Sequence, residues 1–193
     1  MLRGKVILPV VALLAVAGGL VMSWNSLAVR LNSKAVLRYQ KGQYEEAESL
    51  YKRSIEIAEK TFGKDSLNVA AILNNLAELY QTQKRYVEAE NILDRVFKLT
   101  EGNLQEDSQE FIDILDSIAS ISFVKDKYDK AEFFYLKEIK ILDIYHIDDY
   151  DKRLTAMNNL AGIYMIQNRY DESESLYKAC IEMAESKFGK KLL

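Results

Sequence analysis

A chain of 193 residues with one Cys, one His and one Pro cannot close an internal disulfide or assemble a Cys/His zinc site, and it has too few turn-forming residues for a sandwich or barrel. Apolar residues make up 49%, ample for a core, so the composition points to an all-helical protein. With 26 Lys and Arg against 29 Asp and Glu the net charge is −3, which leaves no basic footprint for nucleic acid.

Residues 1–24 differ from the rest of the chain. No ionisable side chain lies between Lys5 and Arg30, and residues 6–24 form a run of 19 that is apolar almost throughout. As a helix this run would span roughly 28 Å at about 1.5 Å per residue, against roughly 30 Å of bilayer hydrocarbon. Trp24 stands where an interfacial aromatic would stand. The expectation is a single-pass N-terminal membrane anchor. The charges do not decide its orientation, because Arg3 and Lys5 on one side face Arg30, Lys34, Arg38 and Lys41 on the other. Two alternatives stay open. Ala15-Val16-Ala17 before Gly18 has the form a signal peptidase accepts, which would make the protein exported after cleavage; the run could also be a buried helix of a soluble fold.

From residue 25 onward a 42-residue period organises the chain. Tyr44, Tyr86, Tyr128 and Tyr170 keep it, as do Ala35, Ala77, Ala119 and Ala161, and Glu48, Glu90, Glu132 and Glu174. Leu31, Leu73, Leu115 and Met157 form another column, and Ile55, Phe97, Ile139 and Ile181 a further one. The four copies run over residues 25–66, 67–108, 109–150 and 151–193. Within the second copy, Leu73, Leu76, Ala77 and Tyr80 follow helical spacing, and Ala89, Ile92, Leu93, Val96 and Phe97 resume it after Gln83-Lys84-Arg85. The spacing therefore predicts two helices per copy, over 68–82 and 86–100 in the second. Gly63 and Gly189 are placed to end second helices in a left-handed conformation. One such pair cannot bury its own apolar faces, so the copies must stack into a helical solenoid.

The residues that carry a resemblance are the LNNLAELY run at 73–80, the YEEAE start at 44–48, Leu-Tyr-Lys-Arg at 50–53 and Phe-Gly-Lys-Asp at 62–65. Together they resemble the tetratricopeptide repeat, in the 42-residue variety of kinesin light chains, over about residues 28–189. The resemblance implies an all-α, right-handed solenoid of helical hairpins that binds proteins and is not an enzyme. It also implies a concave groove lined by the first helices, with polar positions at Asn32, Ser33, Asn74, Asn75, Asp116, Ser117, Asn158 and Asn159; Glu78, Gln81, Phe123, Gly162, Met165 and Ile166 lie further along the same face. An Asn there can donate to and accept from the backbone of an extended peptide.

Some positions depart from the pattern. Copy one has Lys34 where the others have Leu76, Ile118 and Leu160, and Arg38 where they have Tyr80, Ser122 and Tyr164. Copy three has Ser122 in the Tyr column and Glu138 in the column of Ser54, Val96 and Cys180. His146, in the column of Phe62, Leu104 and Phe188, reads as a packing residue, and Cys180 as a core residue. The Tyr columns read as spacers between helices, and Asp148-Asp149-Asp151 as a solvated turn. No cofactor or metal is expected. The expected partner is a protein or peptide, with two rival roles: a subunit that docks or self-associates through Ile163, Met165, Ile166 and Tyr177 of the last copy, or the sensing part of a regulated enzyme system.

Overall fold

The computed structural model describes residues 21–145 and 149–189, and all regular elements among them are helices. The chain divides into two compact units, one ending at Asn103 and the other beginning at Leu104. Unit 1 holds α1 (Val21–Gln40), α2 (Tyr44–Phe62), α3 (Leu67–Thr82) and α4 (Tyr86–Thr100). Unit 2 holds α5 (Gln109–Val124), α6 (Tyr128–Ile144), α7 (Tyr150–Ile166) and α8 (Tyr170–Phe188). In each unit consecutive helices pack against each other, giving two stacked helical hairpins, and in unit 1 α1 also touches α3. The two helices expected for the second copy agree with α3 and α4 to within one residue.

Small residues set where the helices meet. Ala35, Ala77, Ala119 and Ala161 are fully buried, as are Ala47, Ala89 and Ala131. Ser173 takes the second column in the last copy and returns its hydroxyl to the Ala161 carbonyl at 2.9 Å, so the polar group is satisfied locally. Large side chains fill the space between these contacts: Tyr51, Leu79 and Leu93 in unit 1, and Phe111, Leu115, Tyr135 and Leu142 in unit 2. Cys180 is buried, as its column requires.

The first helices of the later copies start on side-chain caps. Ser66, Ser108 and Asp149 accept from the backbone N–H groups of Val69, Phe111 and Lys152. Asp149 is therefore a helix cap, a role that a solvated turn would not give it. The second helices start after a turn that recurs four times. Gly42, Lys84, Asp126 and Asn168 have φ of +73°, +59°, +57° and +61°. The next N–H in each case reaches back five residues, from Gln43 to Arg38, Arg85 to Tyr80, Lys127 to Ser122 and Arg169 to Tyr164, at 2.8–2.9 Å. This is the Schellman ending, with glycine at its left-handed position only in the first copy.

At the joint after α2, Gly63 has φ +86° and ψ +154°. The positive φ agrees with expectation, but the extended ψ places it outside the left-handed helical region, in one that is essentially reserved for glycine. Residues 6–20 of the expected anchor lie outside the described residues, as does His146, while residues 21–24 open α1. Among the described residues no helix is long and apolar enough to cross a membrane.

Candidate functional site

The hairpins of each unit are joined by the same polar bracket. In unit 1 the Glu48 carboxylate on α2 accepts from the Tyr80 hydroxyl at 2.8 Å and from Arg85 Nη1 at 2.6 Å, and the Arg85 guanidinium lies 4.1 Å from the centre of the Tyr80 ring. In unit 2 Glu132 accepts from the Tyr164 hydroxyl at 3.2 Å and from Arg169 Nη1 at 2.8 Å, with Arg169 3.9 Å from the Tyr164 ring centre. Burial would raise the Glu48 carboxyl, but hydrogen bonds from Arg85, Lys52 and Tyr80 outweigh it and hold it down to about 2. Ser122 and Lys127 occupy the Tyr and Arg columns in copy three, and Ser122 bonds the Ile118 carbonyl of its own helix at 2.7 Å. The full Glu–Tyr–Arg bracket thus stands once in each unit, at positions 84 residues apart.

The first-helix face of unit 1 brings several expected residues together. Asn75 donates from Nδ2 to Asn32 Oδ1 at 3.1 Å, linking α3 to α1. Tyr39 donates to Glu78 at 3.2 Å and shares a 2.8 Å bond with Thr82. Asn32 is only 3% exposed, so it fixes the Asn75 amide from below and presents little surface of its own. Ser33 and Glu78 are exposed, and Asn74 and Asn75 are half-buried.

In unit 2 the same columns are wired differently. Asn159 donates to the Tyr135 hydroxyl at 2.9 Å, Tyr135 shares a 3.2 Å bond with Ser120, and Ser120 bonds Asp116. Asp116, Ser117, Asn159 and Gly162 are half-buried, and Asn158 is exposed. A Cβ placed on Gly162 would meet nothing within 4 Å, so this glycine makes no close packing contact. Further along α7, Met165 and Ile166 are exposed, whereas Ile163 is fully buried and joins the core instead of the uncovered end expected for it. Tyr177 and Ile181 on α8 are exposed.

Two features go beyond the sequence expectations. The Tyr column at 128 and 170 braces the hairpin turns: each hydroxyl donates to the residue two before it, Asp126 at 2.6 Å and Asn168 at 2.7 Å. Buried tyrosines come instead from Tyr51 and Tyr135, whose column-mate Tyr177 is exposed, and from Tyr80 and Tyr164. The second feature is an acidic pocket of about 160 Å³ in unit 2, lined by Asp116, Glu138, Asp151, Lys152 and Thr155. Its sequence signal is the mismatch of Glu138 with its column.

Two family models described as tetratricopeptide repeat match the chain, one over residues 26–101 and the other over 153–191, together more than half of its length. Among solved structures, BtubC (BKLC) from P. vanneervenii is similar with a TM-score of 0.78 at 17% identity, over 88% of this chain and 68% of that one. A Podosopora anserina protein described as a putative kinesin light chain with nearly identical TPR-like repeats is similar with a TM-score of 0.71 at 18% identity, over 83% of this chain and 76% of that one. No curated protein matches in sequence.

Proposed function

We propose that this chain, which belongs to the tetratricopeptide repeat family and has repeats like those of kinesin light chains, is a non-catalytic scaffold that binds a peptide segment or helix of a protein partner on the first-helix faces of its units. The observation that carries this reading is the pre-positioned amide of Asn75. Its bond to Asn32 engages one N–H and fixes the side chain, while the second N–H and Oδ1 belong to a half-buried group beside exposed Glu78. A polar group held in place before binding loses less entropy when a partner arrives. Selection of a displayed peptide library on the full chain tests it. Binders should weaken about tenfold when Asn75 and Asn159 become Ala, with the melting temperature followed in parallel; undiminished binding by a folded variant overturns the reading.

Two extensions belong to the same proposal. Residues 6–24, uncharged over 19 positions, tether the scaffold to a membrane. As a second reading, the chain is a subunit of a larger assembly, which the exposed Met165, Ile166, Tyr177 and Ile181 of the last hairpin favour.

A further inference from the structure

Copy three departs from the others where Glu138 enters a column otherwise held by Ser54, Val96 and Cys180. Those three are small or apolar and buried, and Glu138 is buried as deeply, with only 1% of its surface exposed. A carboxylate at such depth requires donors, yet no described atom donates to its Oε2. Glu138 lines the pocket between α5, α6 and α7 that Asp116, Asp151, Lys152 and Thr155 complete. Lys152 is the pocket's own cation, and its ammonium is paired with the Asp113 carboxylate. With Lys152 committed to Asp113, the remaining carboxylates of Asp116, Glu138 and Asp151 outnumber the positive charge, and Glu138 keeps an unfilled acceptor.

We propose that this pocket of unit 2 is a binding site for a guanidinium group, which donates to Glu138 Oε2 and Asp116 and so supplies the positive charge that both lack and the hydrogen bond that Oε2 lacks. A guanidinium suits it better than an ammonium because its planar fork offers five donors, enough for two carboxylates at once, and it is more weakly hydrated. No group of three or more metal-binding side chains among the described residues is arranged to hold a metal ion, which argues against a chelated metal as the occupant. The titration of the site agrees. Burial, and then the Asp116 carboxylate, push Glu138 up to about 8 against the opposing Lys152. Burial raises Asp116 as well. An arriving cation reverses these effects. The charged and titratable groups around Glu138 are Asp113 and Asp116 from α5, Tyr135 from α6, and Lys152, Asp151 and Asp149 from α7 or its cap.

The source of the cation rests on the scaffold reading: the fitting group is an arginine side chain of a protein partner. The pocket itself is tested without any partner, so the two ideas fail separately. Methylguanidinium should bind the full-length protein saturably in calorimetry, more tightly as pH rises through 8, and raise its melting temperature beyond the effect of NaCl at equal ionic strength. Glu138→Gln, which preserves shape and hydrogen-bonding capacity, should weaken binding at least tenfold, and Asp116→Asn should do the same; a cooperative melting transition without ligand, at or above the wild-type temperature, confirms that these variants fold. A capped peptide with one internal arginine should compete with methylguanidinium, whereas its lysine counterpart should compete several-fold less well. Absence of saturable methylguanidinium binding, or equal binding by the Gln variant, overturns the site. Binding of methylguanidinium without competition by the arginine peptide overturns a partner's arginine as the source and assigns the pocket to a free guanidinium compound.

Discussion

At position 138 a glutamate stands where the other copies place Ser54, Val96 and Cys180, and all four side chains are buried. Its carboxyl is raised to about 8, chiefly by burial, from an ordinary value of 4.5. The folded chain therefore holds a proton that the unfolded chain has released at any pH between these values. This contribution to stability is complete below about pH 4.5, falls as pH rises toward 8 and is flat beyond. Urea unfolding of wild type should show that decline, and Glu138→Gln should flatten it; a variant with the wild-type slope would assign the decline elsewhere. Glu48 behaves in the opposite sense. Held down to about 2, it contributes stability above about pH 4.5 that is lost as pH falls toward 2. Glu48→Gln should melt lower at pH 7 and lose less on acidification, which a series of thermal melts will show. The columns make Glu138 visible as a misfit, but a column says only what a position usually holds. That the carboxyl faces a pocket with Lys152 and Asp116 depends on three helices meeting, which no single repeat encodes.

Elements are legible to different degrees for physical reasons. The helices and their core faces follow from local periodicity, so the spacing of Leu73, Leu76, Ala77 and Tyr80 is enough to identify them as the buried face of α3. The Ala columns are equally plain, and their meaning can be tested: Ala77→Leu inserts methylenes where nothing can yield and should cost about 1–3 kcal/mol in urea unfolding. The backbone of the hairpin turns is legible only in part: Gly42, Asn168 and Asp126 are residue types that tolerate the left-handed region, whereas Lys84 carries no sign of it. Their conformation is imposed by the Schellman hydrogen bonds. Lys84→Gly relieves roughly 1–2 kcal/mol of left-handed strain and gives back roughly 0.4–1 kcal/mol through a freer unfolded chain. The net expectation is a gain of about 0.5–1 kcal/mol in urea unfolding, and a loss would show that the Lys84 side chain contributes something the backbone argument omits. The face residues are half legible: their columns are identifiable, but burial of Asn32 and Ile163 follows from neighbouring hairpins and not from their own helix.

For the whole molecule, the tether and the association face make separate demands. If residues 6–24 anchor the chain, the full-length protein should stay with membranes after alkaline carbonate extraction, while a chain starting at residue 25 should not; release of the full chain would remove the anchor from the proposal. If the exposed end of the last hairpin self-associates, light scattering should find a dimer that Met165→Glu with Ile166→Glu converts to monomer, and a wild-type monomer at high concentration would end that reading.

The Glu–Tyr–Arg bracket also sets a rule of assembly for the chain. Copies one and three supply the receiving Glu48 and Glu132; copies two and four supply Tyr80 with Arg85 and Tyr164 with Arg169. Within each unit the two hairpins are thus an ordered pair, a receiving hairpin followed by a donating one, which together make a two-letter word. Exchanging the second hairpin with the fourth keeps both words intact, whereas exchanging the first with the second scrambles the spelling.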